Sequence, residues 1–106
     1  MSDLNATAQT PLRSRFADDE DFRELLDIFV SAAPERIRVL NELRRAGSVE
    51  ELGRQAHQLK GAGGSYGFPE ISAAGAELQH ACRAQDAARI ELALTDLLGL
   101  LGRLEV

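Results

Sequence analysis

The stretch SVEELGRQAHQLKGAGG, residues 48–64, decides the fold. Val49, Leu52, Ala56, Leu59 and Gly63 recur at 3-4-3-4 spacing, the apolar seam of a helix that packs in a bundle. Ser48 and Glu51 stand in the Ser-x-x-Glu form of a capping box, so the spacing predicts a helix starting at Ser48. Upstream, Phe22, Leu25, Leu26, Phe29 and Val30 form one helical face, preceded by Asp18, Asp19, Glu20 and Asp21, which suit the positive end of a helix dipole. Ala33-Pro34 breaks or kinks that helix, and Ile37, Leu40 and Leu43 carry a second face up to Gly47. Downstream, Gly67 is available as a left-handed cap and Phe68-Pro69 resets the chain. Ile71, Ala74, Leu78 and Cys82 then mark a fourth seam, and Ile90, Leu94, Leu97, Leu101 and Leu104 a fifth that begins near Asp86. Short connections favour antiparallel neighbours. The expectation is an all-α domain over residues 18–106, an up-and-down antiparallel four-helix bundle with an additional N-terminal helical segment. Residues 1–17 lack a sustained period and are expected to be a flexible or loosely docked arm.

Composition agrees. The chain has 106 residues, enough for one domain with a real core. Leu and Ala outnumber Val and Ile fourfold, which favours helix over sheet. A net charge of -5 argues against a nucleic-acid partner, which calls for a basic stripe. Cys82 is the lone cysteine, so no internal disulfide forms, and Met1-Ser2-Asp3-Leu4 shows no secretory leader. The greasy run Leu97 to Leu101 is broken by Gly99 and falls far short of the ~20 residues of a bilayer span, so no membrane association is expected. A cytoplasmic monomer is the default expectation.

The helix predicted over the opening stretch has a second face that core packing does not explain. With Ala56 at zero, Lys60, Gly53, Gly64, His57 and Gly61 fall at about 40°, 60°, 80°, 100° and 140°, away from the seam. His57 therefore points to solvent, with glycines one turn before and after it. Three helical glycines at 61, 63 and 64 would each cost roughly 0.5–1 kcal/mol relative to Ala, a load that implies something must come close; the competing reading ends the helix at Gly61 in a Gly-rich loop. Lys60, the only lysine of the chain, lies at i+3 from His57. Its ammonium could pair with a phosphoryl group formed on the ring. No phosphate-binding loop is present, since Gly61-Ala62-Gly63-Gly64-Ser65 follows a helix and lacks a Gly-Lys-Ser/Thr ending.

His57-Gln58-Leu59-Lys60-Gly61, with Gly64, Gly67, Ile71, Ala74 and Leu78 after it, resembles the signature of histidine-containing phosphotransfer (HPt) domains of multistep phosphorelays. The resemblance runs from about residue 20 to residue 104. It implies that His57 accepts a phosphoryl group from a receiver-domain aspartate through its outward ring nitrogen, Nε2, and passes it to another receiver aspartate. Lys60 would contact the phosphoryl oxygens, while Gly61 and Gly64, with Gly53 and Arg54 on the same face, would receive the partner. The partners implied are receiver domains of response regulators or hybrid kinases. No cofactor belongs to this chain, and Mg²⁺ is expected on the receiver; the domain would be a carrier without an ATP site rather than an enzyme. In one departure, an acidic residue often follows the leucine that here is Leu78, and this chain has Gln79.

Other readings compete. Glu77 and His80 form one Glu-x-x-His of the kind di-iron bundles use, but a second is missing and the wheel turns both outward, so no metal site is expected. His80 is no rival acceptor, because Arg83 and Ala84 stand where a Lys-Gly pair would. An HPt-like adaptor that binds a signalling partner without chemistry remains the alternative, against which the retention of His57, Lys60 and Gly61 counts. Arg54, about 60° from His57 on the wheel, is placed at the docking rim. Cys82, Tyr66 and Phe68 are read as packing residues.

Overall fold

The computed structural model describes residues 10–106; residues 1–9 of the expected arm lie outside the described part. Five α-helices follow one another: α1 (Arg23–Ser31), α2 (Ala33–Ala46), α3 (Val49–Ser65), α4 (Pro69–Ala84) and α5 (Ala87–Gly102). Helix α2 packs on α3, α3 on α4, α4 on α5, and α5 returns to α2. Short turns join these four, so neighbours run antiparallel and close an up-and-down bundle, with α1 as the extra N-terminal helix. The core is aliphatic: Leu40, Leu52, Leu59, Ile71, Leu78, Leu94, Leu97 and Leu101 are buried where the seams place them. At one end Phe29 stacks on Tyr66 and Phe68, with ring centroids 4.8 and 5.5 Å apart, and the Arg36 guanidinium lies 5.4 Å over the Phe29 ring.

The junctions follow from local chemistry. Ala32 alone separates α1 from α2, and its N–H still reaches Ile28 O and Phe29 O, so Pro34 kinks the path instead of opening a loop. Gly47 ends α2 at φ 68°, the left-handed cap that glycine supplies without strain. Ser48 is the N-cap position of α3, yet its side chain makes no capping bond; at φ -82°, ψ 78° it lies off the extended conformation that caps use. The expected capping box is therefore absent. Asp86, at φ -97°, ψ 100°, caps α5 with Oδ1 accepting from Arg89 N–H at 3.2 Å.

Three further expectations are corrected. Leu25, placed on the apolar face of α1, is 45% exposed, because Leu26 and Phe29 take the buried side. Leu104 does not continue the α5 seam: the helix stops at Gly102, and Leu104–Glu105 forms a short strand, β2, parallel to β1 (Leu12–Arg13). Residues 10–17 are fastened and not loose. Leu12 is 7% exposed and donates its N–H to Arg103 O at 2.7 Å, while Arg103 Nε donates to Thr10 O at 2.8 Å. A parallel pair needs a long crossover, and here the whole bundle is that crossover, which is why no local sequence pattern announced it.

Candidate functional site

Helix α3 runs unbroken to Ser65, so Gly61, Gly63 and Gly64 are helical and the loop reading does not hold. Their reasons differ. A Cβ on Gly63 would meet Ser72 N at 2.6 Å and Phe68 O at 3.0 Å; a Cβ on Gly75 of α4 would meet Lys60 N at 2.8 Å and Ala56 O at 2.9 Å. These two glycines let the backbones of α3 and α4 approach. Gly61 has nothing within 4 Å of its Cβ position, and Gly64 only Ser72 Oγ at 3.9 Å, so packing explains neither. Gly53 is half-buried, with its Cβ position 3.4 Å from Cys82 Cβ, which gives it a packing reason besides its place beside the histidine.

Going down α3, positions 53, 57, 60 and 63 meet Cys82, Gln79, Gly75 and Ser72 of α4 in reverse order. This antiparallel register carries Gln79 to His57: its side-chain amide lies 2.9 Å from His57 Nδ1. His57 is exposed, and with Nδ1 engaged its free ring nitrogen is Nε2. The amide nitrogen faces Nδ1 as placed, but a half-turn of the amide puts its oxygen there instead. With the oxygen in place Nδ1–H donates to Oε1, and the lone pair is on Nε2, where a nucleophile needs it. Gln79 stands out in the sequence only as a departure from the acid expected there; its contact with His57 was not legible, because the register rests on Gly75, which the seam pattern passed over.

His57 and Gln79 line a cavity of about 680 Å³ with Gly53, Arg54, Cys82 and Arg83. Arg54 is exposed and 3.6 Å from Glu51; Arg83 is exposed and, among the described residues, in no ion pair. Burial pushes the Cys82 thiol above its ordinary pKa, as suits an inert packing residue. Lys60 and Gly64 open onto a neighbouring depression, further along α3 toward its C-terminal end and also walled by α4. Both Glu77 and His80 are exposed, and Glu77 lies on a different groove, between α4 and α5. Among the described residues no group of three or more His, Cys, Asp or Glu is arranged to hold a metal ion, and no helix is long and apolar enough to cross a membrane.

The arrangement suits an exposed nitrogen nucleophile, its ring anchored through the other nitrogen, on ground cleared of side chains. A family model described as the Hpt domain matches residues 24–105. No curated protein and no solved structure matches the chain. With the family match spanning α1 to β2 and the helices closing the same four-membered bundle, this chain belongs to the Hpt domain family.

Proposed function

We propose that this chain is a phosphoryl carrier that works through His57. Hpt domains in general serve histidine phosphotransfer in phosphorelays. In the step assigned here, the Nε2 lone pair attacks the phosphorus of a receiver's aspartyl phosphate. An N–P bond forms, the acyl P–O bond breaks, and its electron pair leaves with the aspartate carboxylate. The imidazole proton stays on Nδ1, held by the Gln79 carbonyl oxygen. The reverse step onto a second receiver aspartate restores the neutral ring.

Lys60, one turn from His57, is assigned to the phosphoryl oxygens, whose charge its ammonium offsets. Gly61 and Gly64 leave the partner free to approach. Gly53 and Arg54 are assigned to the rim on the other side. Mg²⁺, which phosphoryl transfer commonly uses, is assigned to the receiver.

The observation that carries this reading is the exposed His57 ring anchored through Nδ1 by Gln79. A two-step chase tests it. The protein is labelled from a phosphorylated receiver with Mg²⁺, separated, and mixed with a second, unlabelled receiver. Label that enters wild type, leaves it for the second receiver and never enters His57→Gln supports the carrier. A folded protein that takes no label from any receiver in a broad panel favours the adaptor.

A further inference from the structure

The segment ahead of the family-matched region is fastened to the end of α3 that carries Lys60. Ser14, 7% exposed, donates its hydroxyl to Tyr66 O at 2.6 Å and accepts Phe16 N–H at 2.9 Å. Between them, Arg15 N–H donates to Gly67 O at 2.8 Å. Gly67 has φ 83°, and a Cβ there would lie 2.4 Å from Ser14 Oγ and 2.8 Å from Phe16 Cδ2. The glycine thus supplies both a left-handed turn and the space into which this clasp closes.

The Arg15 side chain leaves a backbone pinned on both flanks. It is exposed, and among the described residues it forms no ion pair. Arg15 and Phe16 line a depression of about 480 Å³ together with Lys60, Gly64, Ala73 and Ala76. Small residues keep that depression shallow, and two cations without carboxylate partners stand on it in a chain of net charge -5. Like charges held on one face repel, and an anionic partner offsets that cost.

We infer that the clasp is a second edge of the docking surface, on which Arg15 meets carboxylates around a receiver's aspartyl phosphate. The inference rests on the carrier reading. Charge selects the occupant: an acidic phosphoaspartate-bearing face complements Arg15 and Lys60, and a basic or neutral partner does not. Arg15 belongs to the rim and speeds association, while Lys60 shares the face of the reacting ring. Phe16, half-buried against Phe22 with centroids 4.6 Å apart, adds an apolar edge. Because the clasp precedes residue 24, where the family match begins, it is a place where this chain can choose among receivers.

Arg15→Ala and Arg15→Glu in the full chain keep the Arg15 N–H bond and change only the exposed side chain. At low salt the second-order rate constant of transfer from a phosphorylated receiver should fall about threefold for Arg15→Ala and about tenfold for Arg15→Glu. The rate at saturating receiver should stay at the wild-type value, and the differences should fade as ionic strength rises. Equal second-order constants for labelled wild type and Arg15→Glu overturn the clasp and leave the carrier standing. A reduced saturating rate with unchanged association also overturns it, since that would put Arg15 at the phosphoryl group. Wild type that takes no label from any receiver overturns the carrier reading and the clasp together.

Discussion

At the residue scale, the His57 ring is set by one bond from another helix. Gln79 reaches Nδ1 at 2.9 Å, and its amide can present either an acceptor or a donor there. With the acceptor there, Nε2 of free His57 keeps its lone pair, and a ring phosphorylated on Nε2 would keep its Nδ1 proton on the same oxygen. Gln79→Ala should therefore slow transfer roughly tenfold, whereas Gln79→Glu, which still accepts Nδ1–H, should stay within about threefold. Rapid-quench kinetics would decide, and an unimpaired Gln79→Ala would show that the tautomer is set by something else. Gly61 offers a second test, since its Cβ position is empty. Gly61→Ala should raise stability in urea unfolding by roughly 0.5–1 kcal/mol, while Gly61→Gln should weaken receiver binding. Undiminished binding by Gly61→Gln would remove the docking role. His57, Lys60 and Gly61 were legible in the sequence because one helical period places them together. Gln79 was not, because its partnership spans two helices and depends on how closely Gly63 and Gly75 let them pack.

At the element scale, the five helices could be read from apolar spacing because each must bury one stripe, and the bundle buries all of them at once. Their ends were less legible. The Ser-x-x-Glu pattern located the start of α3 at Ser48 but not its chemistry, since Gly47 turns the chain so tightly that Ser48 N–H bonds back to Leu43 O at 3.1 Å. Asp86 has the extended backbone and the bond to Arg89 N–H that Ser48 lacks. Asp86→Ala should cost about 1 kcal/mol in chemical denaturation. Ser48→Ala should cost less than about 0.5 kcal/mol. Equal losses would mean that Ser48 caps α3 in solution after all.

At the scale of the whole molecule, the described chain closes on itself where Leu12–Arg13 pairs with Leu104–Glu105. Leu12 seals the bundle beside Leu104, and the two-residue ladder joins elements separated by all five helices. No local pattern in residues 10–17 could announce that pairing, because what makes Leu12 apolar in purpose is the hole left between distant helices. Leu12→Ala should lower the unfolding free energy by about 2–3 kcal/mol in a single cooperative transition. A change of a few tenths would mean that the leading segment contributes little to the folded unit. The same closure sets Arg15 and Lys60 on one depression, so the leading segment joins the fold to the proposed docking surface.

The most direct test of the central claim is an intact-mass measurement on the protein after incubation with a phosphorylated receiver and Mg²⁺, run beside His57→Gln. A carrier that works through His57 gains one phosphoryl group on wild type, labile to acid and stable to alkali, and none on His57→Gln. A phosphoryl group that persists on His57→Gln would contradict that claim and place the acceptor elsewhere in the chain.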